Sequence, residues 1–122
     1  MRGGFQVRYT LHIVNPLDLI KEIAATYQRH GWKLQRILLR PATRADLKAS
    51  AEPFCEAQLV DADFDALWFA RSSHAGREAW ELRLLAEQPY ALFEAFEVDE
   101  SEEQREEARI EMVNRMRELA VK

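Results

Sequence analysis

Residues 64–85 read FDALWFARSSHAGREAWELRLL, and they contain the clearest strand pattern in the chain. Trp80, Leu82 and Leu84 alternate with Ala79, Glu81 and Arg83, as in a strand with one apolar and one polar face. Residues 72–76, between the two halves, have the composition of a turn. The stretch therefore predicts two consecutive antiparallel strands, over 64–71 and 77–85.

Four further segments have strand patterns. Residues 5–13 carry an apolar side chain at every second position, and residues 54–60 and 90–98 flank the first pair of strands. Because only short turns separate 54–60, 64–71, 77–85 and 90–98, they are predicted to form an antiparallel meander. Residues 32–40 also read as a strand, but the apolar parity slips between Leu34 and Ile37. Such a slip indicates a β-bulge or burial on both faces.

Helix signals separate these strands. Asn15 followed by Pro16 is a typical helix start, and Gly31 after His30 is a typical stop. Thr43 is predicted to cap a short helix that runs to about residue 50. Ser101 and Gln104 have capping-box spacing and open a long helix that reaches nearly to residue 122. Its predicted apolar stripe consists of Ile110, Val113, Met116, Leu119 and Ala120.

The element order is thus β-α-β-short α-β-β-β-β-α. We predict a single α+β domain over residues 1–122, with a mostly antiparallel sheet of five to six strands packed against two amphipathic helices. The 122 residues, 48% hydrophobic and 31% charged, are enough for one core. The lone Cys55 cannot form an internal disulfide, which favours the cytoplasm. No apolar run approaches the roughly 20 residues of a membrane span, so no membrane association is expected.

Charge is unevenly distributed along the chain. Residues 1–50 carry nine Lys and Arg against three Asp and Glu, whereas the remainder is strongly acidic. The split is consistent with two surfaces for different partners, but attraction between the halves of one fold explains it more simply. A basic series of Arg36, Arg40, Arg44 and Lys48 would suit a polyanion. Because the whole chain has a net charge of −4, nucleic acid is the third-ranked partner.

One constellation could bind a ligand. Arg8 and His12 lie on the polar parity of the strand 5–13, and Glu81 and Arg83 on that of 77–85. If both polar faces meet on one surface, these groups could bind a small anionic molecule and conceivably act on it. The simpler alternative is a solvated sheet face with cross-strand ion pairs.

No other pattern specifies a chemistry. The hydroxyls beside His74 read as a turn, and Cys55 lies on an apolar parity without a neighbouring His. His12, His30 and His74 are too far apart in sequence to indicate a zinc site, and no glycine-rich phosphate loop is present. We therefore assign no catalytic residue, metal or cofactor, and expect a non-catalytic protein.

The first-ranked functional hypothesis rests on a second apolar face of one strand, which needs a cover. The strand 64–71 is apolar on both parities, and Leu67 and Phe69 occupy its second face. That face could be covered by the connection 41–53, or by a neighbouring subunit, a partner protein or a ligand. The leading hypothesis is a regulatory or protein-interaction domain that forms a homodimer, with Leu67 and Phe69 or the helix residues Val113 and Met116 in the interface.

Overall fold

The computed structural model describes residues 16–48, 57–86 and 90–120. It contains three α-helices, α1 (Pro16–Arg29), α2 (Pro41–Lys48) and α3 (Glu102–Ala120). The five strands are β1 (Lys33–Leu39), β2 (Gln58–Asp61), β3 (Ala66–Ser72), β4 (Glu78–Leu84) and β5 (Ala91–Phe96). The α+β class and its helix order are confirmed. The predicted strand 5–13 lies outside the described residues.

The five strands form one mixed sheet in the order β2-β1-β3-β4-β5. The pairs β1·β3, β3·β4 and β4·β5 are antiparallel, as the turn-like connections predict. The predicted meander of four strands is wrong at its first member, because β2 pairs parallel with β1 rather than antiparallel with β3. A parallel neighbour requires a crossover connection, and the segment containing α2 supplies it.

Helices cover both faces of the sheet. On the α1 face, Ile20 of α1 packs on Ile37, Leu39, Leu67 and Phe69, with Leu47 of α2 at the margin. On the α3 face, Met112 and Met116 pack on a larger cluster from all three central strands and β5. This cluster comprises Leu38, Phe64, Ala66, Trp68, Ala70, Trp80, Leu82, Leu84 and Phe96. The parity of Trp80, Leu82 and Leu84 was therefore correctly identified as a buried face.

The parity slip in β1 has both of its predicted causes. The register with β3 shifts between Leu34 and Arg36, which is a bulge or irregularity. Beyond it, Leu38 belongs to the α3-face cluster, whereas Ile37 and Leu39 belong to the α1-face cluster. A central strand buried on both faces has no reason to alternate.

The helix starts follow local capping chemistry. Ser101 and Gln104 form the predicted capping box, with the Gln104 N–H donating to the Ser101 hydroxyl at 3.1 Å and the Ser101 N–H to the Gln104 side chain at 2.8 Å. Thr43 does not start α2, which begins at Pro41 because proline suits the first helical position. Instead, the Thr43 hydroxyl donates to Asp65 at 2.8 Å, and the Arg40 N–H donates to the same carboxylate at 2.8 Å.

Four of the five residues of the predicted α3 stripe pack on the sheet: Met116 is buried in the α3-face cluster, and Val113, Leu119 and Ala120 pack against it. Ile110 is 53% exposed, while Arg109, Met112 and Met116 are buried. The spacing of the buried positions is helical, but one of them is an arginine, which a hydrophobicity pattern counts as polar.

Candidate functional site

The hydrogen bonds between β4 and β5 show which backbone groups of β5 point away from the described sheet. The Leu84 N–H donates to the Tyr90 carbonyl at 2.8 Å, so Leu84 and Tyr90 form a hydrogen-bonded pair. Such pairs alternate along an antiparallel ladder, and the register places Arg83 opposite Ala91 and Glu81 opposite Phe93. The backbone N–H and C=O groups of Ala91, Phe93 and Ala95 therefore point away from β4. Within the described part of the chain, β4 is the sole neighbour of β5.

The side chains of the same three residues emerge on the α1 face. Ala91, Phe93 and Ala95 are all exposed, and Phe93 is 56% exposed. The Phe93 ring meets Trp32 edge-on at 6.2 Å between ring centroids. Phe96, which has the opposite parity, is buried in the α3-face cluster. The α1 face thus ends in an exposed apolar strand, because α1 packs over β1 and β3 and leaves β5 uncovered.

A polar cluster lies beside this strand. The Tyr27 hydroxyl, at the end of α1, donates a short hydrogen bond to Glu81 of β4. The Tyr27 ring stacks on Phe69 at 3.9 Å between centroids, which positions the phenol over the sheet. Burial, with the hydrogen bond to Glu81 as the next cause, raises the pKa of Tyr27 to about 12. The guanidinium of Arg83 favours the ionised phenol and so partly offsets this rise in the Tyr27 pKa.

Arg83 has a buried donor without an acceptor. Its Nε is buried and has no hydrogen-bond partner. By contrast, Arg36 of β1 pairs with Glu106 at 3.1 Å, and Arg71 of β3 donates to the His30 carbonyl at 3.2 Å. A buried donor without an acceptor costs about 1–3 kcal/mol, so it needs an explanation where it occurs.

Of the four predicted ligand-binding residues, two can be located. Glu81 and Arg83 are neighbours on the α1 face of β4, as the alternation predicts, whereas Arg8 and His12 lie outside the described residues. Tyr27 could not be predicted as a site residue, because it occupies one of the apolar positions of the α1 helical repeat. The exposure of Phe93 could not be predicted either, since residues 91–96 show no alternation that would distinguish a buried face from an exposed one.

The predicted interface residues contact their own chain. Leu67 and Phe69 are fully buried beneath α1, and Met116 of α3 is fully buried against the sheet. Val113 is partly buried against the α3-face cluster. The second face of β3 is thus covered mainly by α1, with a contribution from Leu47 in the connection 41–53. An interface between subunits would have to use other side chains.

The basic series does not form one free surface. Arg36 lies on the α3 face, where it pairs with Glu106, while Arg40 and Arg44 pair with Asp65 and Asp61. Arg109 is 2% exposed and also pairs with Glu106. Together with the apolar side chains of α3, Arg36, Arg109 and Arg117 line a groove of about 260 Å³. Because each of these guanidiniums has a carboxylate partner, the groove offers no uncompensated positive charge to a polyanion.

Neither a metal site nor a membrane span was found in residues 16–48, 57–86 and 90–120. These ranges contain no group of three or more His, Cys, Asp or Glu that could hold a metal ion. They also contain no helix that is long and apolar enough to cross a membrane. Comparisons of the chain with protein-family models, with curated proteins and with solved structures found no match.

Proposed function

We propose that this protein is a self-associating, non-catalytic interaction domain in which β5 pairs antiparallel with β5 of a second copy. The observation that carries the proposal is the edge of β5, where an exposed Phe93 stands between two exposed alanines. Edge strands of monomers are usually guarded by charged side chains, especially Lys, by Pro, by a bulge or by a very short length. Strand β5 has six residues, ALFEAF, without Lys or Pro, and its one charged side chain, Glu94, lies on the opposite face from Phe93.

The strand is self-complementary in one particular register. A twofold axis at Phe93 sets Phe93 opposite its own copy, Ala91 opposite Ala95 and Leu92 opposite Glu94. In this register the outward-pointing backbone groups of Ala91, Phe93 and Ala95 face one another, so the pairing would form about six new hydrogen bonds between main chains. An axis at Glu94 would also pair outward-pointing backbone groups, but it would set two like charges directly opposite each other.

The other edge of the sheet is less suited to pairing. Strand β2 has four residues, and its last residue, Asp61, is engaged in an ion pair with Arg44. Its exposed apolar side chain, Leu59, is 45% exposed, which is similar to Phe93. Leu59 therefore supplies a matched control for substitution of an exposed apolar residue on an edge strand.

The test compares Phe93→Lys with Leu59→Lys. A lysine at 93 keeps the ladder to β4 but places two like charges together at the twofold axis. Sedimentation equilibrium over a concentration series should show the wild type and Leu59→Lys approaching twice the chain mass of 14.2 kDa. Phe93→Lys should remain at the mass of one chain, with circular dichroism confirming that it is folded.

Two results would contradict the proposal. One is a wild type of single-chain mass at every concentration, as expected if residues 1–15 occupied the edge. The other is a Phe93→Lys variant that dimerises as well as the wild type. Cytoplasmic localisation is part of the same proposal, supported by the lone Cys55, which suits a reducing compartment.

A further inference from the structure

Four residues of β4 and β5 form a square on the α1 face. Glu81 lies opposite Phe93, and Arg83 lies opposite Ala91. Directly opposed residues are about 5 Å apart and residues two positions along a strand about 7 Å apart, so the four side chains share one small patch. The residue opposite Arg83 is an exposed alanine, so its side chain is the smallest of the four.

Opposite charges stand side by side in this square without forming an ion pair. Glu81 accepts a hydrogen bond from Tyr27, which leaves its second carboxylate oxygen available. The Arg83 guanidinium interacts with the Tyr27 phenol, but its buried Nε has no acceptor, and in the described structure no carboxylate pairs with it. A ligand that satisfied Arg83 would therefore be an anion, and the neighbouring Glu81 would repel it unless it also carried a cation or donor.

We infer that the square binds a free amino acid with an apolar side chain. Arg83 would take the ligand carboxylate in a bidentate fork, and Glu81 would accept a hydrogen bond from the ligand ammonium group. The exposed ring of Phe93, supported edge-on by Trp32, would contact the ligand side chain. A zwitterion can pair with both Arg83 and Glu81, whereas a simple anion can pair only with Arg83.

This site lies within one chain, so it does not depend on pairing through β5. The oligomeric state and the binding of an amino acid can therefore fail separately. Tyr27 acts as a positioning residue, since it holds Glu81 by a hydrogen bond and has no assigned contact with the ligand.

Binding to the full chain can be tested with four probes that each change one feature. L-phenylalanine has an ammonium group, a carboxylate and an apolar side chain. N-acetyl-L-phenylalanine lacks the ammonium group, L-phenylalaninamide lacks the carboxylate, and glycine lacks the side chain. We expect calorimetry to show binding of L-phenylalanine, with each of the other three at least tenfold weaker. The Arg83 Nε–Hε resonance should shift on titration with L-phenylalanine.

Substitutions at Arg83 and Glu81 test which group of the ligand each residue binds. Arg83→Gln should weaken L-phenylalanine binding at least tenfold, whereas Arg77→Gln should change it less than twofold. Arg77 is a suitable control because it is an exposed arginine paired with Glu97 just before β4. Glu81→Gln should weaken binding of L-phenylalanine but not of N-acetyl-L-phenylalanine.

Three outcomes would overturn the inference. They are the absence of binding for both L-phenylalanine and L-leucine, equal binding of N-acetyl-L-phenylalanine to the wild type, and an equal loss in Arg77→Gln and Arg83→Gln. Each can be observed whether the protein is a monomer or a dimer.

Discussion

Replacing Arg109 by methionine tests whether a buried charge stabilises the packing of α3 on the sheet. Arg109 is 2% exposed, and its guanidinium carbon lies 4.1 Å from the centroid of the Trp80 ring. Its Nη1 donates to Glu102 at 3.0 Å and to Glu106 at 2.5 Å. Its Nε is buried without a partner. The residue therefore combines stabilising contacts with a large desolvation cost.

The opposing contributions can be estimated. Loss of a desolvated cation–π contact costs about 2 kcal/mol, and loss of the ion pairs about 1 kcal/mol because Glu102 is 74% exposed. Removing the buried charge and its unsatisfied Nε recovers about 1–3 kcal/mol or more. Glu106 keeps its bond to Arg36 and remains partly in solvent, so no buried carboxylate is left unpaired. Arg109→Met should thus lie within about 1.5 kcal/mol of the wild type.

Arg109→Ala provides the comparison. It removes the same charge but also the side-chain volume beside Trp80, and the resulting cavity should cost about 3 kcal/mol. Urea denaturation followed by circular dichroism measures both free energies of unfolding. If Arg109→Met lost as much stability as Arg109→Ala, the charge itself would be the main stabilising feature, and the reasoning would be refuted.

Three further predictions concern the core, a helix cap and a titration. Met116→Ala should reduce the free energy of unfolding by about 2–5 kcal/mol in urea melts, because Met116 is fully buried, and a loss below about 1 kcal/mol would contradict this. Ser101→Ala should cost about 1 kcal/mol by the same measurement, since it removes the acceptor for the Gln104 N–H; no loss would mean that the capping box contributes nothing. Tyr27 should ionise near pH 12 in the absorbance difference between wild type and Tyr27→Phe. Its folded pKa is higher than the unfolded value of about 10, so its contribution to stability is complete below pH 10 and lost between about 10 and 12. A Tyr27 titration centred at pH 10 would exclude the buried hydrogen bond to Glu81.

Local patterns carry the information about secondary structure. The alternation of Trp80, Leu82 and Leu84 identified both the strand and its buried face, because strand geometry sends successive side chains to opposite sides. The capping box at Ser101 and Gln104 identified the start of α3, because both partners lie within one helical turn. Such features depend on neighbours in sequence.

The site could be predicted only in part for the same reason. Alternation placed Glu81 and Arg83 on one face, which β4 confirms. It could not show that Tyr27, 54 residues away in sequence, bonds to Glu81, or that the Nε of Arg83 lacks an acceptor. These facts depend on how α1 crosses the sheet, and neither α1 nor β4 contains that information alone.

By itself, the sequence determined the α+β class, the helices and strands, and the antiparallel pairing of β3, β4 and β5, since each follows from short-range periodicity and tight turns. Tertiary structure alone decided that β2 pairs parallel with β1, that α1 covers Leu67 and Phe69, and that Phe93 is left exposed on the outer strand of the described sheet. The physical reason is that apolar burial is non-directional. A pattern states that a side chain must leave water, but only the packing of distant elements decides what covers it.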